Sequence, residues 1–361
     1  MSEKRKQQNR EAMRKKRLDP EYRENQAAKE RERRKRAKSA VTCPPIESPF
    51  ERLLNREYEV ERIAGFRANE LTKIYKMVEN DIVRTTTRGE ERKQHVPATF
   101  QTPDFHQFLL TMVFLQSYPT MAVMEFMFDI NRLLIGKYLS RCLAGMRRAF
   151  DEQQVIRWPT FDEFVEESRI WRPHLHPNMT GVACVVDGTE FKIEEPVDKE
   201  RKKTSYSGKK KQFSVNLILI TKLNGEIIYA SEPYTPPHDQ KQWKELNLRE
   251  RFVRKPYGII GDSGFFFNPS YVAYSINGFT PYRSSKKHPL DEEQKAFNKK
   301  LHSLRSVIEN TNAVLKSFRI FKQTYRHHHP DGQGPVPFSI VIPVVASLAN
   351  LKIKASPLRT P

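Results

Sequence analysis

The chain has 361 residues, with 63 lysines and arginines against 43 aspartates and glutamates and a formal net charge of +20 at pH 7. This length predicts two or three domains with at least one large core. The basic excess favours a polyanionic partner, either nucleic acid or an anionic membrane surface. A membrane is disfavoured because no apolar run reaches the roughly 20 residues needed to span a bilayer. Three widely spaced cysteines, Cys43, Cys142 and Cys184, indicate neither a disulfide framework nor a cysteine zinc site, so we expect a reduced intracellular compartment.

The first 45 residues form a basic tail in this interpretation. Residues 1–40 contain 16 lysines and arginines and seven acidic residues, with few apolar residues to bury. We therefore expect a disordered tail, or a lone solvated helix in which glutamates pair with arginines. Clusters of this kind are typical of nuclear localisation and of nonspecific phosphate contact. A basic zipper is excluded because no leucine heptad follows.

Residues 46–150 are predicted to be helical, with a helix-turn-helix-like segment at about 105–146. Its three predicted helices are Phe105–Leu115, Met121–Phe128 and Arg132–Met146. In this layout Arg132, Lys137 and Arg141 on the third helix would face DNA phosphates or bases. The same helix carries an apolar run at 133–135, where a base-reading helix normally exposes polar side chains. A purely structural helical subdomain therefore remains an open alternative.

A connector at 151–180 precedes an α/β domain predicted over residues 181–355. The pattern predicts five strands and two helices, and Asn224-Gly225 is a strong hairpin signal between the second and third strands. The predicted strands are Ala183–Ile193, Gln212–Lys222, Glu226–Tyr234, one at Ile259-Ile260 and one near Phe279–Arg283. The predicted helices are Gln240–Phe252 and Asp291–Ser317, and Phe338–Leu351 is expected to be a buried terminal strand or helix.

Three acidic residues of this domain are placed as a phosphoryl-transfer site requires. Asp187 and Asp262 each follow a buried strand, whereas Glu309 lies on the polar stripe of the long predicted helix. Such carboxylates can converge over a sheet edge and offer only oxygen ligands, which suit Mg²⁺ or Mn²⁺ and not zinc. Two such ions could cleave a phosphodiester without a covalent enzyme intermediate.

The sequence around these acids resembles the DDE transposases of the Harbinger/PIF type, including host proteins derived from them. The resemblance covers roughly the last two thirds of the chain, with spacings of 75 and 47 residues between the successive acids. The stretches that carry it are Val186-Asp187-Gly188-Thr189-Glu190, Tyr206-Ser207-Gly208-Lys209-Lys210-Lys211, Pro237-His238-Asp239, Ile260-Gly261-Asp262-Ser263-Gly264-Phe265, and Arg305-Ser306-Val307-Ile308-Glu309 with Leu315-Lys316.

The resemblance implies a fold, a site and a set of partners. The fold is a ribonuclease H-like mixed sheet with a catalytic Asp-Asp-Glu set, preceded by a helix-turn-helix-like region. Asp187, Asp262 and Glu309 would hold two Mg²⁺ or Mn²⁺ ions, with Asp187 bridging them. Partners would be double-stranded DNA at transposon ends and target, further copies of the chain, and a separate DNA-binding helper protein, all in the nucleus. Basic residues expected near the DNA backbone are Lys209, Lys210, Lys211, Arg305 and Lys316.

Three functions remain in competition at this point. The first is a metal-dependent DNA transposase or endonuclease, and the second is a domesticated DNA-binding protein that no longer cuts. A ribonuclease of similar fold is disfavoured, because a helix-turn-helix reads the major groove of B-form DNA. His238 and Asp239 form either a functional pair or a satisfied turn, and His327–His329 are expected in an exposed loop rather than at a metal.

Overall fold

A computed structural model describes residues 48–91, 102–208, 210–235, 239–265, 267, 276–326 and 337–361. The basic tail, Lys209, His238 and His327–His329 lie outside these residues. Residues 52–361 form one compact unit by their contacts.

Helices make up the first half of this unit. Their bounds are α1 Pro49–Leu54, α2 Glu57–Ala64, α3 Ala68–Arg84, α4 Asp104–Ser117, α5 Met121–Phe128, α6 Arg132–Glu152 and α7 Phe161–Trp171. The three helices predicted between 105 and 146 are present as α4, α5 and α6. Thr120 caps α5 by accepting from the Val123 amide at 3.3 Å, and Asn131 caps α6 by accepting from the Leu133 amide at 2.9 Å.

The long helix α6 is the centre of the helical half and packs against α3, α4, α5 and α12 (Phe338–Ala355). Gly145 permits the close approach of α3, because a Cβ there would lie 2.8 Å from the Ile82 Cα. A side chain at this point would force the two helices apart.

A six-stranded mixed sheet follows. Its strands are β1 Val182–Lys192, β2 Tyr206–Ser207, β3 Gln212–Lys222, β4 Ile227–Ala230, β5 Gly258–Ile260 and β6 Gly278–Phe279. The order is β2-β3-β1-β5-β6, with β4 also paired to β3. The β1–β3 and β3–β4 pairs are antiparallel, as the Asn224-Gly225 hairpin signal predicts for the second pair, whereas β5 runs parallel to β1 and β6 parallel to β5.

The predicted β-elements are present, but several bounds differ. Gly225 adopts a φ of 95° in the β3–β4 hairpin, as its turn requires. The third predicted strand is shorter, because the β3–β4 register shifts between Ile220 and Thr221 and regular pairing ends at Ala230. The last predicted strand is reduced to the two residues of β6. The short helix α8 (Lys199–Ser205) and strand β2 were not predicted.

The helices of this domain cover both faces of the sheet. The helix predicted over 240–252 is divided into α9 (Asp239–Glu245) and a 3₁₀ turn (Leu248–Arg251). Trp243 of α9 and Phe164 of α7 belong to the buried cluster on the face that carries Val186. Phe191 of β1 lies on the other face and packs against Phe321 and Phe338, which belong to α11 (Arg319–Lys322) and α12.

Two helices complete the second face. The helix α10 (Glu292–Ser317) begins at a capping box in which Asp291 accepts from the Gln294 amide at 2.7 Å. The helix α12 is long and apolar enough to cross a membrane by composition, but 61% of it is buried within this fold. Its Asn350 accepts from the Ile227 amide and donates to the carbonyls of Ile227 and Val155, so it joins the sheet edge to the helical half.

Candidate active site

Asp187 lies within β1 and not after it as expected, at the point where the fully buried first half of the strand ends. The five residues before it, 182–186, are fully buried, whereas Asp187 and Gly188 are partly exposed. Alternation along the strand turns the Asp187 side chain to the α10 face and Glu190 to the opposite face. Accordingly, Asn312 of α10 donates to Asp187 Oδ2 at 3.2 Å, while Ser214 of β3 donates to Glu190 Oε2 at 3.1 Å.

The surroundings of Asp187 disfavour its charged form. Burial, with a smaller contribution from the negative charges of Asp262 and Asp239, raises its pKa from 3.8 to about 6. The positive charge of Arg305 opposes the increase. Burial and two neighbouring carboxylates thus destabilise the charged form of Asp187, and a bound cation would stabilise it.

Asp262 follows β5, which runs parallel to β1 and pairs with it. The parallel register places Ile260 opposite Val185, so Asp262, just after β5, lies level with Asp187 within β1, which explains the electrostatic contact of the two carboxylates. The Gly264 amide donates to Asp262 Oδ1 at 2.8 Å and fixes the turn. Arg283, after β6, donates to the Ser263 carbonyl and closes the same edge.

The polar stripe of α10 faces this edge, but it does not deliver Glu309 to the two aspartates. The Glu309 side chain is 62% exposed, and its Oε1 lies 3.8 Å from Arg305 Nη2. In the described ranges, no group of three or more His, Cys, Asp and Glu side chains is arranged to hold a metal ion. In this metal-free conformation Arg305 pairs with Glu309 and Asn312 contacts Asp187, so the convergence of the three carboxylates stays a prediction.

Two of the predicted backbone-binding lysines lie near the acids. Lys316 of α10 is partly buried with its Nζ 5.6 Å from the Phe191 ring centre, and burial together with the charge of Lys210 lowers its pKa. Lys210 Nζ lies 4.0 Å from Glu190 Oε2. Lys211 is exposed and adopts a φ of 51° in the turn before β3. Lys316 thus lies within electrostatic reach of Asp187, while Lys210 and Lys211 are open to solvent.

Asp239 is brought to the site from the opposite face of the sheet. Its carboxylate lies directly against Gly188, where a Cβ would overlap Asp239 Oδ1. Asn216 of β3 holds that oxygen with a 2.8 Å hydrogen bond. Sequence reasoning left Asp239 as half of a His-Asp pair and did not find Asn216 or Asn312. Gly188 was the sequence signal for the location of Asp239, because a glycine within a buried strand indicates that another group approaches the backbone closely there.

The helix-turn-helix-like segment presents two of its three predicted DNA contacts. Lys137 is exposed, and Arg132 is 64% exposed and lies 3.2 Å from Glu125. Arg141 is buried, with 1% of its side chain exposed, and donates to Asp104 at 2.6 Å and to the Thr85 carbonyl at 3.1 Å. The assignment of Arg141 to DNA is therefore wrong, because its guanidinium is enclosed between α3, α4 and α6.

The donor set at the sheet edge fits a hard divalent cation. Asp187 and Asp262 supply carboxylate oxygens, and the Asn312 Oδ1 atom is buried and has no hydrogen-bond partner among the described residues. Oxygen donors of these types are those that Mg²⁺ and Mn²⁺ prefer.

Comparison with known proteins identifies the region that carries this edge. Residues 186–344 match the family model described as DDE superfamily endonuclease, and this span includes Asp187, Asp262 and Glu309. The chain is also 30% identical over 146 residues to a protein of Microchaete diplosiphon named probable transposase for insertion sequence element IS702. That alignment covers 40% of this chain and 50% of the relative, so the chain spans about half the length of the curated relative it matches. The two similarities support a DDE transposase.

Proposed function

We propose that this chain is a DDE-type DNA nuclease and transposase of the Harbinger/PIF type, which cleaves phosphodiesters and joins strands with two divalent ions. The observation that carries the proposal is the parallel β1–β5 register, which places Asp262 level with Asp187 inside the segment similar to DDE endonucleases. The strand order, with β1 between antiparallel β3 and parallel β5, supports a ribonuclease H-like sheet.

The proposal assigns metal binding to the acidic residues of the site and DNA binding to the basic ones. Bound Mg²⁺ or Mn²⁺ would activate the attacking oxygen and offset charge on the phosphate. Asp187, Asp262 and Glu309 would hold the ions, and Glu309, now 3.8 Å from Arg305, would have to leave that arginine to do so. Lys210, Lys211, Lys316 and Arg305 would position the DNA backbone. Lys209 belongs to the same proposed contact. In the metal-free protein the charge of Arg305 also lowers the pKa of Asp187.

Selection of DNA is assigned to the helical half, with α4–α6 as a helix-turn-helix. Its exposed Arg132 and Lys137 support this role, whereas the exposed Leu133 favours the structural alternative. Competition binding of Arg132→Ala and Lys137→Ala on transposon-end and scrambled duplexes separates the two. Removal of a side chain that contacts a base is expected to weaken binding to the transposon-end duplex alone, by about 1–3 kcal/mol. Removal of one that contacts a phosphate is expected to weaken binding to both duplexes. No loss on either duplex would leave a structural subdomain.

Cellular context completes the proposal. We assign the protein to the nucleus, on transposon ends and target DNA, as a homo-oligomer that works with a separate DNA-binding helper protein. The net charge of +20 supports a DNA partner. Microscopy of the tagged chain tests the location. Light scattering with and without transposon-end DNA tests the oligomer, and co-purification from nuclei tests the helper.

The decisive experiment is cleavage of labelled duplex DNA with and without Mg²⁺ or Mn²⁺. Asp187→Asn, Asp262→Asn and Glu309→Gln are expected to abolish metal-dependent cleavage while leaving the fold intact. Glu292→Gln is the matched control, because Glu292 lies on the same helix as Glu309 and its side chain is 91% exposed. Full cleavage by folded Asp262→Asn protein would overturn the assignment.

A second candidate is a domesticated DNA-binding protein without cleavage activity. The observation that favours it is the pairing of Glu309 with Arg305 away from the two aspartates. Wild-type protein that binds DNA but leaves it uncut in both metals would support this candidate over the nuclease.

A further inference from the structure

The contact between Asn312 and Asp187 joins the two elements that build the site. Asn312 lies on α10, 125 residues after Asp187 in β1, and its Nδ2 donates to Asp187 Oδ2 at 3.2 Å. An amide group has a donor end and an acceptor end, so the donor facing the carboxylate turns the acceptor away from it. The acceptor, Oδ1, is then buried without a partner among the residues that the structure describes.

The Asn312 Oδ1 atom, unpartnered within the described ranges, and the buried Asp187 carboxylate lower the stability of the fold unless a cation or water binds beside them. A buried acceptor without a donor has lost its hydration and gained no hydrogen bond in return. Asp187 is itself buried beside Asp262 and Asp239. The amide therefore fixes Asp187 Oδ2, and its own Oδ1 remains for a hard cation or the cation's hydration shell.

We propose that Asn312 is a positioning residue for Asp187: it holds Oδ2 and thereby orients Oδ1 toward the divalent ion. The inference rests on the proposed metal-dependent function, which it deepens by assigning a residue outside the three acids. The α10 helix links the two roles, because Asn312 lies one turn after Glu309 on the same polar stripe. Docking of α10 against β1 thus sets the orientation of Asp187 as well as the location of Glu309.

The test measures Mn²⁺ binding by the full 361-residue chain without DNA, from the electron paramagnetic resonance signal of free Mn²⁺. Asn312→Leu, which removes the donor at similar size, is expected to weaken Mn²⁺ binding by about 10–100-fold, as is usual for residues that orient a metal ligand. Asn312→Ser, whose hydroxyl is too short to replace the amide, is expected to show a loss of the same order. Asn312→Gln keeps the donor and is expected to recover part of the affinity.

Two controls separate positioning from a general effect on folding. Asn310→Leu is the matched control, because Asn310 is exposed two residues earlier on α10, and it is expected to bind Mn²⁺ as the wild type does. Thermal unfolding in metal-free buffer reports folding of each variant independently of the ion. With Mg²⁺-dependent cleavage as a second readout, Asn312→Leu is expected to raise the apparent KM for Mg²⁺ more than it lowers kcat.

The outcomes also separate this inference from the proposed function. Loss of Mn²⁺ binding in Asp187→Asn but wild-type binding in folded Asn312→Leu and Asn312→Ser would overturn the role of Asn312 and leave the metal site standing. Absence of Mn²⁺ binding by the wild-type chain would overturn both. Equal losses in Asn310→Leu and Asn312→Leu would also overturn the inference, since the effect would then belong to α10 as a whole.

Discussion

At the scale of single residues, Asp187 makes the metal-free protein less stable at neutral pH. Its folded pKa is about 6 against 3.8 for an exposed aspartate. Between these values the folded state retains a proton that the unfolded state has lost, so the free energy of unfolding falls as pH rises. Above pH 6 the penalty is complete, at about 3 kcal/mol.

Asp187→Asn is therefore expected to stabilise the metal-free protein at pH 7–8 by up to about 3 kcal/mol, with the difference disappearing near pH 4. Urea unfolding of both proteins across this range, in chelator, measures it. Mg²⁺ should then stabilise the wild type more than the variant. A difference between the two proteins that stays constant from pH 4 to 8 would contradict the raised pKa.

Gly188 offers a second test at the same scale. Its missing side chain leaves the space that the Asp239 carboxylate occupies. Gly188→Ala is expected to displace Asp239 and to lower the free energy of unfolding by about 1–3 kcal/mol, the usual cost of overpacking. Gly208→Ala is the matched control, because a Cβ there meets no atom within 4 Å. Denaturation curves for the two variants that coincide would contradict the close approach.

At the scale of elements, Arg141 connects α6 to α4 and to the end of α3. Its guanidinium is buried and is bound by Asp104, Gln107 and the Thr85 carbonyl. Arg141→Met leaves these acceptors without their donor, and we expect a loss of about 3–5 kcal/mol in the free energy of unfolding.

Arg132→Met is the comparison, because Arg132 pairs with Glu125 at the surface and exposed pairs contribute about 0–1 kcal/mol. Urea denaturation of both variants measures the contrast. A small and equal effect in the two would contradict the structural role of Arg141.

Periodicity predicted the elements better than it predicted the contacts between them. The helix α10 and the strands β1 and β3 follow clear apolar patterns, so their bounds agree with prediction to within a residue. The pattern also placed Arg141 on the third helix of the segment, but only the location of α3 and α4 determines that this arginine is buried. Short elements such as α8 and β2 have too few residues for any period to emerge.

The site was predictable in part for the same reason. A carboxylate after a buried strand is a local pattern, and the parallel β1–β5 pairing then brings Asp187 and Asp262 together. Which side chain of α10 reaches Asp187 depends on the rotation and docking of that helix. The sequence stripe contains both Glu309 and Asn312, and the fold brings Asn312 to the aspartate.

At the scale of the whole molecule, charge is unevenly distributed along the chain. Residues 1–40 carry 16 basic and seven acidic residues, an excess of nine, while the compact unit begins at Arg52. We expect removal of residues 1–40 to weaken nonspecific DNA binding and to reduce nuclear accumulation. Each phosphate contact that is lost should flatten the slope of log K against log salt concentration by about 0.9.

The measurement is fluorescence anisotropy on a scrambled duplex over a series of salt concentrations, with full-length and shortened protein. A full-length variant with the 16 basic residues of this segment replaced by glutamine keeps the length and removes the charge, so it should reproduce the flatter slope. Thermal unfolding should be unchanged, because the compact unit retains its own core. A slope that is the same in all three proteins would exclude the segment as a DNA contact, and the polyanion would then be held by residues 41–361 alone.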